Sequence, residues 1–117
     1  MQAPGNLVPS GRGGRQYDTN LGGTVNLLRG LAEATRRLGE PVRLVFASSV
    51  KVYGPSDGQP INEQHQTAPM SPYGASKLAC ERLLAYQAAT GALGAISLRC
   101  SPPAAQSAAT ATAILAA

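Results

Sequence analysis

Tyr73 and Lys77 stand four residues apart in the stretch Ser-Pro-Tyr-Gly-Ala-Ser-Lys, Ser71 to Lys77. On a helix, positions i and i+4 share a face about one turn apart, so the phenol and the ammonium would enter the same space. A free tyrosine keeps its proton to about pH 10, and a fixed positive neighbour favours the phenolate. Such a pair can move a proton on and off a substrate hydroxyl at neutral pH. A second group of interest is Ser49, which closes the apolar run Val-Arg-Leu-Val-Phe-Ala-Ser-Ser from Val42. At the C-terminal end of a parallel strand its hydroxyl could meet a developing alkoxide, because ligands bind at that end of open α/β sheets. The plainer alternatives are an ordinary helix start for Tyr73 and Lys77 and a turn serine for Ser49.

Positioning these groups requires two helices and two strands. Leu21, Val25, Leu28, Leu31 and Leu38 recur at helical spacing from Asp18 onward, and Gly39 is placed to end that helix. The run Val42–Ser49, bounded by turn residues, suits a buried parallel strand. A loop from Val50 to Ser71 follows, punctuated by Gly54, Pro55, Asp57, Gly58, Pro60 and Pro69. Within it His65 and Lys51 read as solvated residues, and Tyr53 as loop packing or the wall of a ligand pocket. Ser71 as cap and Pro72 in the first turn predict a helix start near Pro72 or Tyr73, running to about Thr90. Cys80 within that helix reads as a small buried apolar side chain. Gly94 to Cys100 reads as the second strand. Helix, strand, loop, helix, strand is the rhythm of a doubly wound parallel α/β sheet, of which these elements are a part. The expected organisation is a flexible lead-in over 1–16, a partial doubly wound α/β domain over 17–100, and a low-complexity tail over 101–117, either a fraying helix or unstructured.

The totals limit the alternatives. With 117 residues the chain makes at most one ordinary domain, and with one Phe and no Trp its core is built from small side chains. The ten Lys and Arg that give a net charge of +4 are scattered and not interleaved with aromatics, which argues against a nucleic-acid groove. They read mostly as solvated helix faces. Cys80, Cys100 and the single His65 lack metal-ligand spacing. No apolar leader and no run of about 18 apolar residues is present, so the expectation is a cytoplasmic protein with no membrane segment.

Taken in order, Asn20-Leu-Gly-Gly-Thr24, "RLVFASSVKVYG" from Arg43, "SPYGASK" and "ISLR" from Ile96 resemble the extended short-chain dehydrogenase/reductases. Within them the likeness is to the NAD-dependent epimerase/dehydratase group that acts on nucleotide sugars. The resemblance implies a Rossmann-like fold, NAD as cofactor and a UDP-hexose as substrate. It implies that Ser49, Tyr73 and Lys77 are catalytic. Ser49 would hydrogen-bond the reacting sugar hydroxyl, Tyr73 act as base, and Lys77 hold the nicotinamide ribose and lower the tyrosine's pKa. Asn20 would lie on the cofactor side, or, read from the residues alone, cap the first helix. The resemblance further implies a homodimer through the helices at 18–38 and 73–90.

The sequence departs from that family at both ends. The glycine-rich turn that lets backbone NH groups approach a pyrophosphate is missing, since no strand precedes the glycines of "SGRGGR" at Ser10 to Arg15. After Arg99 come Ser101, Pro102 and Pro103, where the family has a Phe-Asn pair and a glycine. Two expectations follow from different classes: an epimerase or its catalytic segment, or a truncated or frameshifted remnant without activity that survives as a dimerisation module.

Overall fold

The structure is a computed structural model that describes residues 11–101 and the backbone of 111–116. Three helical segments run without a break: α1 (Gly11–Gln16), a π-helical turn (Tyr17–Gly22) and α2 (Gly23–Leu38). Then come β1 (Val42–Ser49), a 3-10 turn (Val50–Val52), α3 (Pro72–Ala89), β2 (Leu93–Cys100) and β3 (Ala111–Ala116). Residues 1–10 of the expected lead-in lie outside the described residues. Its remainder is helical, which corrects the expectation of a flexible segment there. Glycine-rich sequence has poor intrinsic helix propensity, but α1 packs against α3, and tertiary contact overrides propensity.

The signals at element ends operate as chemistry predicts. Gly39 takes φ 78°, a left-handed conformation with no Cβ penalty, and its N–H donates to the Thr35 carbonyl at 2.9 Å. The Thr35 hydroxyl then accepts from Val42 N–H at 3.0 Å, tying the end of α2 to the first residue of β1. At α3, Ser71 Oγ accepts from Gly74 N–H at 3.1 Å, and Pro72 occupies the first turn, where its missing donor costs nothing.

β1 and β2 pair in parallel, from Val42 opposite Leu93 to Ser49 opposite Cys100, with α3 as the crossover. β3 joins the other side of β2 in antiparallel register, Cys100 opposite Ala111. The expectation of a helical or unstructured tail is therefore corrected at 111–116: β2 offers an open ladder edge, and a backbone can satisfy it whatever its side chains. Strand alternation sorts the sheet. Leu44, Phe46, Leu93 and Ala95 pack with Leu28, Leu83 and Leu84 of the helices, giving the core of small aliphatic side chains that the composition requires. Arg43, Val45 and Ala47 on the alternate face of β1 are exposed.

The segment between β1 and α3 is held by its own bonds. Tyr53 bridges Thr67, Gly54 N–H donates to the Gln66 carbonyl at 3.0 Å, and Ala68 N–H to that of Val52 at 3.1 Å. His65, expected to be a solvated side chain, is instead half-buried. Its Nε2 lies 3.1 Å from the carbonyls of both Gly54 and Pro55, and its ring meets Tyr53 edge-on at 5.8 Å. The loop thereby presents one conformation to the end of the sheet.

Candidate functional site

Ser49 is the last residue of β1 and is buried, 6% exposed. Its Oγ accepts from Lys51 N–H at 3.1 Å, which starts the 3-10 turn and leaves the hydroxyl proton available for another acceptor. The turn reading and the site reading of this serine are thus compatible. Val52 and Tyr53, next along, are buried and fix the loop beneath it.

Tyr73 opens α3 and is 36% exposed, on an open cleft of about 610 Å³ that Lys51, Gly54, Ser56, Ile61 and Met70 also line. Gly74 explains how the helix can start so close to the turn after Ser49. A Cβ there would overlap the Lys51 carbonyl oxygen and lie 3.0 Å from its carbon and 3.2 Å from Pro69 Cβ. One turn further, Lys77 Nζ donates to the Ala47 carbonyl at 3.0 Å, and sits 5.0 Å from the Phe46 ring centroid and 5.8 Å from that of Tyr73. The ammonium is therefore fixed between helix and strand, two residues before Ser49.

Asn20 lies within the π-helical turn, so it does not cap a helix; that reading is corrected, because Gln16 and Gly23 on either side of the turn both keep helical dihedrals. Its amide instead donates to Ser76 Oγ of α3 at 3.0 Å. Asn20 and Lys77 line the same recess of about 230 Å³, with Thr19, Thr24, Leu27 and Phe46. The polar groups there are bonded within the chain: the Asn20 amide to Ser76, the Thr24 hydroxyl to the Asn20 carbonyl at 2.7 Å and the Lys77 ammonium to the Ala47 carbonyl. A pyrophosphate has no counterpart among the described residues, where no strand runs through a glycine-rich turn into a helix. Of the glycines of "SGRGGR", Gly13 and Gly14 lie within α1, which Gly11 opens at φ 65°.

Sequence reasoning missed three features. Ser76 is completely buried and bonded on both sides. Cys80, correctly read as buried, also donates to the Asn20 carbonyl and to Thr24 Oγ1, each at 3.3 Å. Arg99 and Glu81 form a buried bidentate pair, Nε–Oε1 2.9 Å and Nη2–Oε2 2.7 Å, so these two charges are not solvated helix faces. Burial acts against the Arg99 charge, but the Glu81 carboxylate, with the Tyr53 phenol adding to it, outweighs burial and raises the guanidinium pKa. The Arg99 guanidinium also stacks 4.6 Å from the Tyr53 ring centroid, joining the pair to the cleft wall. Among the described residues no group of His, Cys, Asp and Glu could hold a metal ion. None of the described helices is long and apolar enough to cross a membrane.

A parallel strand ending in serine, beside a helix that opens on Tyr-x-x-x-Lys, defines a partial Rossmann-type α/β sheet of the short-chain dehydrogenase/reductase class. Residues 8–115 match the NAD dependent epimerase/dehydratase family, and the chain belongs to that family. NAD is the family's cofactor. The chain is 42% identical over 84 residues to the UDP-glucose 4-epimerase of Streptomyces lividans, covering 72% of this chain and 24% of that protein. It is 34% identical over 85 residues to the enzyme of that name from Lacticaseibacillus casei, covering 73% and 24%. Among solved structures, UDP-glucose 4-epimerase from Brucella ovis in complex with NAD superposes with a TM-score of 0.62 at 36% identity, over 71% of this chain and 24% of that one. A short-chain dehydrogenase/reductase superfamily protein from Agrobacterium tumefaciens with bound NAD gives 0.67 at 33% identity, over 85% and 29%. The chain thus spans about a quarter of the length of the curated relatives it matches.

Proposed function

We propose that this chain carries the proton-transfer part of an NAD-dependent nucleotide-sugar 4-epimerase site, of the type that interconverts UDP-glucose and UDP-galactose. The observation that carries the proposal is the placement of Lys77. Its ammonium shares one face of α3 with Tyr73 and is tied to the carbonyl of Ala47, so that Tyr73, Lys77 and Ser49 belong to one end of the sheet.

Bound NAD would supply reversible hydride acceptance at the sugar carbon. The residues of the chain do the rest. Tyr73 Oη takes the proton of the sugar hydroxyl as the carbonyl forms and returns it as the alcohol re-forms. Ser49 donates its hydroxyl proton to the same sugar oxygen, which stabilises alkoxide character. Lys77 holds the ribose hydroxyls of the nicotinamide end and places positive charge beside the phenol. Asn20 orders the cofactor side of the recess that it lines with Lys77. A UDP-hexose would enter by the cleft in front of Tyr73. The chain would work in the cytoplasm as a homodimer through the helices at 18–38 and 73–90, where Leu21, Val25, Ala79 and Leu83, with Arg82, line a mostly apolar surface groove. No nucleic acid or membrane takes part.

A second reading rests on the groove of Leu21, Val25, Ala79, Arg82 and Leu83 between the two helices, which could serve association by itself. On that reading it is a non-catalytic remnant or dimerisation module. Calorimetric titration of the folded chain with NAD separates the two. Saturable binding, followed by turnover of a UDP-hexose that Tyr73→Phe abolishes, supports the epimerase site. No binding by a chain that circular dichroism shows to be folded supports the remnant, and unchanged turnover in Tyr73→Phe refutes the assigned base.

A further inference from the structure

Tyr73 has to be held to within a fraction of an ångström to act as a base, yet it sits in the first turn of a helix, where backbone bonds are fewest. Two contacts restrain that turn from either side. On one flank Gly74 lies against the Lys51 carbonyl. On the other is a chain of side-chain hydrogen bonds that begins in the π-helical turn. Asn20 Nδ2 donates to Ser76 Oγ at 3.0 Å, and Ser76 Oγ donates to the Tyr73 carbonyl at 2.7 Å.

The direction of these bonds follows from the Asn20 amide nitrogen facing Ser76. An amide nitrogen can only donate, so Ser76 must accept from Asn20 and spend its single proton on Tyr73. Ser76 is completely buried, so water cannot replace either partner. Asn20 is itself anchored: its carbonyl accepts from Gly23 N–H, from Thr24 Oγ1 at 2.7 Å and from Cys80 Sγ at 3.3 Å. Ser76 and Cys80 are one turn apart on α3, so the amide and the carbonyl of one asparagine grip two successive turns of the helix. Asn20 lies within the π-helical turn, a winding often found at functional sites. Asn20 also lines the recess that Lys77 enters.

We propose that Ser76 is a positioning residue, and that the Asn20–Ser76–Tyr73 carbonyl chain is a latch that fixes the tyrosine-bearing turn of α3 to the helix on the cofactor side. The functional importance of the latch rests on the reading of Tyr73 as the base. Its physical existence does not.

The test is ¹³C-tyrosine NMR of the unliganded full chain, with the Tyr73 ring signals assigned by Tyr73→Phe and Tyr86, exposed near the end of α3, as internal control. Ser76→Ala is expected to shift or broaden the Tyr73 signals and leave Tyr86 in place. Ser76→Cys, with near-native size and a weaker donor, brings them partly back. Asn20→Asp, which keeps the shape but loses the N–H donor, is expected to displace Tyr73 as Ser76→Ala does, and it serves also where Ser76→Ala does not fold. The double variant should move Tyr73 no further than either single one. Native Tyr73 signals in a folded Ser76→Ala or Asn20→Asp chain overturn the proposal, and so do displacements that add. Because the reading is taken without NAD, failure to bind NAD would remove the epimerase assignment while leaving this result intact.

Discussion

Replacing Glu81 by methionine would remove the carboxylate from the buried pair with Arg99 while keeping the volume of the side chain. In the native chain the two side chains are 7% and 5% exposed and share two short hydrogen bonds, so solvent screening is slight. The substitution leaves a guanidinium buried without its counter-charge, which costs about 3–5 kcal/mol. For a chain of 117 residues the whole stability is on the order of 5–15 kcal/mol, so the loss removes a large part of it. Urea unfolding followed by circular dichroism should show the midpoint falling by on the order of 2 M, at an m-value of about 1–3 kcal/mol/M. The double variant Glu81→Met with Arg99→Met should recover most of that loss, since two apolar side chains of similar volume replace a desolvated pair. It keeps a deficit of about 0.5–2 kcal/mol from the lost stacking of Arg99 on Tyr53. The raised pKa of Arg99 adds stability that is present below the ordinary arginine range and is lost only as pH rises through the raised value. From the Arg99 side, the native stability should therefore not depend on pH across the neutral range. A single variant that loses less than about 1 kcal/mol, or a double variant as damaged as the single, would refute the reasoning about uncompensated charge.

Two further outcomes are expected. Gly74→Ala should lower stability by about 1–2 kcal/mol, because overpacking against the Lys51 carbonyl outweighs the roughly 1 kcal/mol by which alanine favours helix; a urea midpoint at or above the native value would contradict it. Tyr53→Phe should change stability by no more than about 1 kcal/mol, because the buried phenol oxygen makes no full hydrogen bond and its remaining interaction is with the Arg99 guanidinium, which it favours. A drop of more than about 1 kcal/mol in the same unfolding experiment would show that the hydroxyl is satisfied in solution.

What the sequence determined by itself is what is decided within a few residues. The bounds of β1 follow from an apolar β-branched run. The start of α3 follows from Ser71 and Pro72, and the end of α2 from Gly39, because each is a local backbone hydrogen-bonding problem with few solutions. The i,i+4 spacing of Tyr73 and Lys77 likewise needs nothing beyond helix geometry. The tertiary structure decided the rest. Asn20 meets Ser76 across 56 residues, Glu81 meets Arg99 across 18, and Lys77 reaches Ala47 across 30. No periodicity encodes these meetings, since they depend on how the helices lie on the sheet. The glycines of α1 and the pairing of 111–116 with β2 have the same origin: contact with α3 in one case, an open ladder edge in the other, each strong enough to override weak local preference. Residue types and spacing named the groups that could do chemistry, and packing over long sequence separations determined which of them stand together and what holds them there.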